Sequence, residues 1–498
     1  MIRKVLGPPG TGKTYTLLKY VSDYISKGTP IHKIGYFAFT KIAANEAADR
    51  MLQLFPDKNK KQLKYFQTLH SLAFHTLGMS EDNVMQDVHY NQIGEKLSIR
   101  VSGASKETCY LDSDNEYFQL INKASIRDVS IEEEFDTNEY SRKIDFEVLN
   151  TIYNNYINFK KVNNLKDYTD MIKDFIKHPE KCPQFDVIFI DEAQDLSPIQ
   201  WKMYDVLKTK TKDIYLAGDD DQAIFAWAGA DVKRFIEEDA EHELLQQSRR
   251  IPLAVLEQAK IIQSRILGPR IEKTYHPRVD EQGNIVEGKV EKIHTLDSLD
   301  LNIGEWLILT RAKYRADEIA KYLKERNFYF KTRHGKSYNQ KLYKAALNWT
   351  RLTDDGSILI NECKDMYDFL TQQFDADVLK NKTSVTIQDL GLDKHLYWYE
   401  MFNNADQKEC LYIRTMLSNG EKLIEDPNIE ISTIHAAKGR EMQNVVLVLD
   451  NTRMIRNNIK TSIDKADEEH RVWYVGTTRS KENLYLLSAK KERHGYNL

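Results

Sequence analysis

The sequence predicts an α/β protein: two parallel sheets covered by helices on both faces, each sheet interrupted by a mainly helical insertion. Three observations carry this expectation. A short apolar run, Val5-Leu6, leads into Gly7-Pro8-Pro9-Gly10-Thr11-Gly12-Lys13-Thr14 and then into the helix-like stretch Tyr15 to Ile25. Apolar runs alternate with helix-like segments along much of the chain, the pattern of parallel strands joined by helical crossovers. The second half repeats the alternation without a second glycine-rich loop.

The loop satisfies G-x-x-x-x-G-K-[ST] at every fixed position. Gly7, Gly10 and Gly12 allow a tight turn whose backbone N–H groups face phosphate oxygens, with Pro8, Pro9 and Thr11 completing the cradle and a helix N-terminus behind it. Lys13 is expected to reach the β/γ-phosphates of ATP and Thr14 a Mg²⁺ ion. A plain strand-to-helix turn is the alternative, and the strand–loop–helix order favours phosphate binding.

At 498 residues, the chain should divide into several compact units. It is 41% hydrophobic and 29% charged with net charge −4, with no apolar run long enough to span a bilayer and no signal peptide before the loop, so a cytoplasmic protein is expected. Cys109, Cys182, Cys363 and Cys410 lie far apart without C-x-x-C spacing and read as ordinary thiols. Near-neutral charge leaves the partner open, because a strand gripped in one groove needs only local positive charge.

In chain order, Ile34 to Thr40 reads as a buried strand, Lys41 to Leu54 as an alanine-rich helix, and Tyr65 to Phe74 as a second strand–loop–helix unit. From about Leu77 to Pro183 the sequence turns polar and helical, an inserted subdomain. Within it, Tyr153 to Lys161 interleaves aromatic and basic residues; nucleic-acid contact is one reading and a solvated helix face the favoured one. Phe185 to Ile190 is a strand ending in Asp191-Glu192-Ala193-Gln194-Asp195. Carboxylates at such a tip suit a ligand site: Asp191 for Mg²⁺, Glu192 for the attacking water. Ile214 to Asp231 delivers Asp219 and Gln222 to the same edge, followed by Phe225 and Trp227, which are either core or a stacking platform for an unpaired base.

Leu244 to Pro252 leads into a helix, and Gln282-Gly283-Asn284 is expected to turn between two short strands. Trp306 to Arg311 is a strand followed by a helix over Tyr314 to Arg326, and residues 354–426 form a polar helical stretch. Ile429 to His435 and Val445 to Asp450 are strands, and Arg471 to Arg479 precedes a closing strand, Leu484 to Leu487.

Ordered blocks over nearly the full length resemble the UvrD/PcrA/Rep family of superfamily 1A DNA helicases. GPPGTGKT, FAFTKIAA, TLHSLA, IDEAQD, GDDDQAIFAWAGAD, QQSRRIP, STIHAAKGRE and VWYVGTTR follow the order of that family's motifs. The resemblance implies two RecA-like domains with ATP between them. It implies that Gln222 senses the γ-phosphate and Glu441 the ribose, with Arg250 and Arg479 as arginine fingers. It carries DNA contact to Phe39, His70, Trp227, Arg311 and His435. The implied division is 1–76 and 184–245 for the first RecA-like domain around an insertion at 77–183. For the second it is 246–353 and 427–498 around an insertion at 354–426.

Several positions depart from the family. The family's adenine-reading glutamine lies upstream of the loop, where this sequence has only six residues before Gly7, so adenine selectivity is expected to rest elsewhere. Where the family sandwiches the base between an Arg after the loop threonine and a Tyr before the finger, this chain has Tyr15 and Arg249, an exchange of sides that still offers a ring and a cation. Ala226 and Ala228 flank Trp227 where arginines are usual, predicting weaker phosphate contacts and a lower salt slope. The short second insertion predicts a compact enzyme with less autoinhibition, and the end of the sequence soon after VWYVGTTR predicts no fused nuclease domain.

The expected function is an ATP-dependent single-stranded-DNA translocase and helicase of 3′-to-5′ polarity, acting on single strands and on tailed or forked duplexes. A 5′-to-3′ helicase and a DNA-stimulated ATPase switch are the alternatives. A small-molecule kinase is disfavoured because it would leave the paired arginines and the whole second half without a task.

Overall fold

The computed structural model describes residues 1–101, 115–137, 144–354, 356–371 and 382–498. They form two compact units, 1–288 with 457–478 and 289–456 with 479–498. Cys109 lies outside the described residues, and Cys182, Cys363 and Cys410 are buried free thiols.

In the first unit, β1 (Ile2–Leu6), β2 (Ile34–Phe37), β3 (Phe66–Gln67), β4 (Phe185–Ile190), β5 (Thr211–Gly218) and β6 (Glu241–Leu244) make one sheet in the order β3-β2-β4-β5-β1-β6, parallel throughout. Successive residues of β4 show why it is central. Val187 and Phe189 enter a core with Leu17, Val21 and Tyr36, while Ile188 and Ile190 enter the opposite one with Leu72, Met203 and Ile214. A strand buried on both faces reads as a continuous apolar run. β6 does not: Glu-His-Glu-Leu is a polar edge strand, paired on one side to β1. The sequence reading passed over it because a half-exposed edge needs no apolar pattern.

Helices leave the strand tips with local caps. α1 (Lys13–Ser26) starts from Gly12 in the left-handed region, at φ 85°. α2 (Lys41–Leu54) is capped by Thr40, whose hydroxyl accepts from the Ala43 N–H, and α3 (Leu69–Thr76) by Thr68, which accepts from the Ser71 N–H.

The helix Phe146–Val162 divides the residues of Tyr153 to Lys161 between two faces. Asn154, Asn155, Asn158 and Lys161 are exposed, as the solvated reading expects. Tyr156 and Lys160 are interior: the Lys160 ammonium lies 2.7 Å from Asp170, and the Tyr156 hydroxyl donates to Asp167 at 2.7 Å. These two are therefore core groups, unavailable to a strand.

The segment after β6 packs back onto the first unit. Arg249 N–H donates to Gly10 C=O (2.8 Å), Ser248 N–H to His276 C=O (3.1 Å), and Leu253 N–H to Val286 C=O (2.9 Å). The helix Ile463–Thr477 joins the same unit, with Asp467 accepting from the Leu267 N–H at 2.9 Å. The compact units thus part at 288/289, downstream of the 245/246 boundary that the motifs imply. Around Gly283, one antiparallel bridge, Val279 with Ile285, and an Asp280 carboxylate accepting from Asn284 take the place of the two expected short strands.

In the second unit, β7 (Lys289–Ile293), β8 (Trp306–Thr310), β9 (Phe330–Thr332), β10 (Gly335–Lys336), β13 (Ile429–Thr433), β14 (Met442–Val448) and β15 (Ser480–Leu487) form a sheet in the order β10-β9-β13-β8-β14-β15-β7. Only β10 runs antiparallel. The insertion carries an antiparallel pair, β11 (Ser357–Leu359) with β12 (Ser384–Thr386), and a core around Cys363, Phe402 and Ile413 that Trp349 joins from the preceding helix. Among the described residues, no helix is long and apolar enough to cross a membrane.

Candidate nucleotide and nucleic-acid site

In a parallel sheet every strand ends at the same edge, so chain order is converted into a row of loops. Along that edge of the first unit stand His70 after β3, Phe39 after β2, Asp191 and Glu192 after β4, Asp219 after β5 and the glycine-rich loop after β1.

The loop is a closed cradle. Gly7 N–H donates to Gly218 C=O (3.2 Å), the Thr11 hydroxyl to Pro8 C=O (2.8 Å), and the Lys13 ammonium to Gly7 C=O (2.7 Å). Gly10 sits at φ +76°, and a Cβ there would come within 2.4 Å of Arg250 Cβ. Only glycine meets both demands.

The Thr14 hydroxyl donates to Asp191 Oδ2 at 2.7 Å, and the Tyr36 hydroxyl donates to the same oxygen at 2.9 Å. Burial, then the neighbouring Glu192 charge, hold the Asp191 carboxyl above its usual range; Thr14, Tyr36 and Lys13 oppose them. Asp191 and Thr14 oxygens are the hard donors that suit Mg²⁺, and they lie together beside the phosphate cradle. Glu192 stands at φ 55°, ψ 42°, a left-handed conformation unusual for a side-chain-bearing residue and frequent at working sites. Gln194 donates to Glu192 Oε2 at 2.5 Å and accepts from the Asp219 N–H at 3.1 Å. Gln222 donates to Asp219 Oδ2 at 2.8 Å. Tyr36 and Gln194 escaped the sequence reading because they lie inside a strand and a turn, where their types signal only core and polarity.

On the outer side of the cradle, the Ser248 hydroxyl donates to Pro9 C=O at 3.0 Å. The Arg249 guanidinium lies 5.3 Å from the ring centroid of Tyr15, which is 58% exposed. The two residues in exchanged positions therefore face each other.

Of the proposed DNA contacts in this unit, Phe39 stacks on Phe225 with centroids 5.4 Å apart and planes at 20°. Phe225 is buried, so it backs Phe39 and does not itself offer a face. Trp227, 53% exposed, projects from the short turn Ala226–Ala228. His70 meets Tyr168 edge-on at 5.8 Å and keeps part of its surface accessible. Enclosure pushes its imidazole down to about 4 against the pull of Asp167, so it stands neutral at physiological pH.

In the second unit the four assigned residues occupy opposite edges of one sheet. Arg311 and His435 follow β8 and β13, whose last residues Thr310 and Thr433 are in register. Glu441 and Arg479 precede β14 and β15, which start side by side at Met442 and Ser480. Glu441 is 3.5 Å from the Lys481 ammonium, and the buried Arg479 guanidinium reaches the Arg440 carbonyl at 3.5 Å.

Residues 2–243 match the family described as UvrD/REP helicase N-terminal domain, and residues 399–491 that described as UvrD-like helicase C-terminal domain. The ATP-dependent DNA helicase PcrA of Staphylococcus epidermidis is 21% identical, over 97% of this chain and 81% of its own length. A probable DNA helicase of Mycoplasma pneumoniae is 28% identical over 47% of this chain, and the match spans 46% of that protein. PcrA of Staphylococcus aureus is 23% identical over 47% of this chain and 33% of its own. With both family descriptions matched in order, and together over more than half of its length, the chain belongs to the UvrD/PcrA-like family of ATP-dependent DNA helicases.

Proposed function

We propose that this chain hydrolyses ATP to move along single-stranded DNA and to unwind tailed or forked duplexes, with 3′-to-5′ polarity, in the cytosol. The observation that carries the reading is the Thr14–Asp191 hydrogen bond beside the phosphate cradle, with Glu192 next in the chain and Phe39 and Trp227 on the same unit. Loop amides and Lys13 bind the phosphates, and Tyr15 with Arg249 clamps the base. Mg²⁺, held by Thr14 and Asp191, would neutralise charge on the β/γ-phosphates. Glu192 takes the proton of the attacking water, and Gln222 reads the γ-phosphate. Arg250 and Arg479 stabilise the charge of the transferring group, and Glu441 holds the ribose. Bases stack on Phe39 and Trp227, with His70, Arg311 and His435 along the strand path, a sequence-tolerant grip suited to a motor. The motor halves follow the motif order, 1–245 and 246–498, with insertions at 77–183 and 354–426.

The test is ATP hydrolysis with and without single-stranded DNA, in the parent chain and in Glu192→Gln. Strong stimulation in the parent, reduced about a hundredfold or more in the variant, is expected. Hydrolysis indifferent to DNA would separate the nucleotide site from the proposed strand path and overturn the coupling.

A further inference from the structure

Asp219, Asp220 and Asp221 follow β5 as three consecutive carboxylates, all buried. Three adjacent negative charges without water demand cations of their own. They come from a stretch that no motif marks. Lys273, also buried, places its ammonium 3.0 Å from Asp219 Oδ1 and 3.2 Å from Asp221 Oδ2, and bonds directly to Asp220.

The remaining contacts show which carboxylate depends on Lys273. Asp221 has partners besides Lys273: Arg270 binds both of its oxygens, at 2.9 and 2.8 Å, and Gln263 donates to Oδ2 at 2.6 Å. Burial pushes its carboxyl up, but Lys273 first, then Arg270 and Gln263, hold it down to about 2. Asp220 Oδ2 has the Ile271 N–H at 3.0 Å. Asp219 takes its charge partner from Lys273 on Oδ1, and its other oxygen, Oδ2, holds the Gln222 amide at 2.8 Å. Oδ1 also accepts from the Asp221 N–H at 3.2 Å, which fixes the carboxylate plane across the turn.

We propose that Lys273 is the positioning residue for Gln222: by pinning Asp219 Oδ1, it fixes the carboxylate that orients the Gln222 amide toward the nucleotide. This rests on the ATP-hydrolysis reading. A lysine serves here because its compact ammonium presents several donors that can reach three carboxylates at once. An amide misaligned by about an ångström loses much of its effect on a reacting phosphate.

The experiment compares steady-state ATP hydrolysis with saturating single-stranded DNA in the parent, Lys273→Met, Gln222→Ala and the double variant. Lys273→Met is expected to lower kcat about tenfold or more while KM for ATP stays within about twofold of the parent. The double variant is expected to be no slower than Gln222→Ala, because two changes on one path do not multiply. Lys273→Arg, which keeps the cation, is expected to recover part of the rate. Should Lys273→Met fail to fold, the paired variant Lys273→Met/Asp220→Asn withdraws one charge of each sign and carries the same expectation. A folded variant with parental kcat, or losses that multiply in the double variant, overturns the assignment. A parent chain without ATPase activity overturns the functional reading and the assignment with it, whereas an active parent with an unaffected variant overturns the assignment alone.

Discussion

Asp191 is gripped by two hydroxyls, from α1 and from β2, so a phosphate-side residue and a strand-side residue share one oxygen. Tyr36 lies three positions before Phe39, and the backbone between them also accepts the Asp191 N–H at Phe37 C=O (2.9 Å). Asp191 is thus bonded directly to the segment that carries the stacking ring. The Tyr15–Arg249 pair gives the residue scale its own prediction. A ring and a guanidinium 5.3 Å from its centroid can each offer a face to a purine once the two side chains part to admit it. Tyr15→Ala and Arg249→Ala are each expected to weaken ATP binding about fivefold, the equivalent of about 1 kcal/mol per lost stacking partner. Titration with a fluorescent ATP analogue checks this, and unchanged affinity in both would remove the pair from the base site.

At the scale of elements, the phosphate loop shows how a backbone angle and a neighbour act together. Gly10 and Gly28 both lie at positive φ, +76° and +90°, but Gly10 has Arg250 Cβ at 2.4 Å and the Ser248 hydroxyl at 2.9 Å from an added Cβ, whereas Gly28 has nothing within 4 Å. Each Gly→Ala change stores about 1–2 kcal/mol of left-handed strain. Gly28→Ala is expected to stop there, with parental KM and kcat. Gly10→Ala must also displace the Arg249–Arg250 segment, and is expected to raise KM for ATP and abolish most hydrolysis. Urea unfolding and steady-state kinetics separate the two effects, and similar kinetics in both variants would refute the coupling. The same elements show what was legible in advance. Central strands announce themselves because burial on both faces demands unbroken apolar runs, as in Phe185 to Ile190. The glycine-rich loop is legible because phosphate geometry restricts residue type. Partners chosen by folding were not: Lys273 carries no local pattern, Phe225 looks the same in sequence whether it backs a platform or forms one, and Lys160 reads as a surface cation until Asp167 and Asp170 are brought to it.

For the whole molecule, the proposed polarity rests on two blocks far apart in the chain, Asp219-Asp220-Asp221-Gln222 with Trp227, and Val475-Gly476-Thr477-Thr478-Arg479. Duplexes with a 3′ single-stranded tail are expected to be unwound with ATP, and those with a 5′ tail left paired. Tailed duplexes labelled on the displaced strand check this by gel. Preference for 5′ tails would reverse the assignment, and stimulated hydrolysis without strand separation would make the chain a switch. The division of the chain into units has a separate consequence. The backbone passes between them at 288/289, 456/457 and 478/479, so the helix Ile463–Thr477 belongs to one unit while the strand that follows it belongs to the other. Neither unit is one uninterrupted stretch of polypeptide, so neither can be encoded as a single contiguous gene segment. Cutting one crossing leaves the others intact, and the two bodies remain leashed at high mutual concentration.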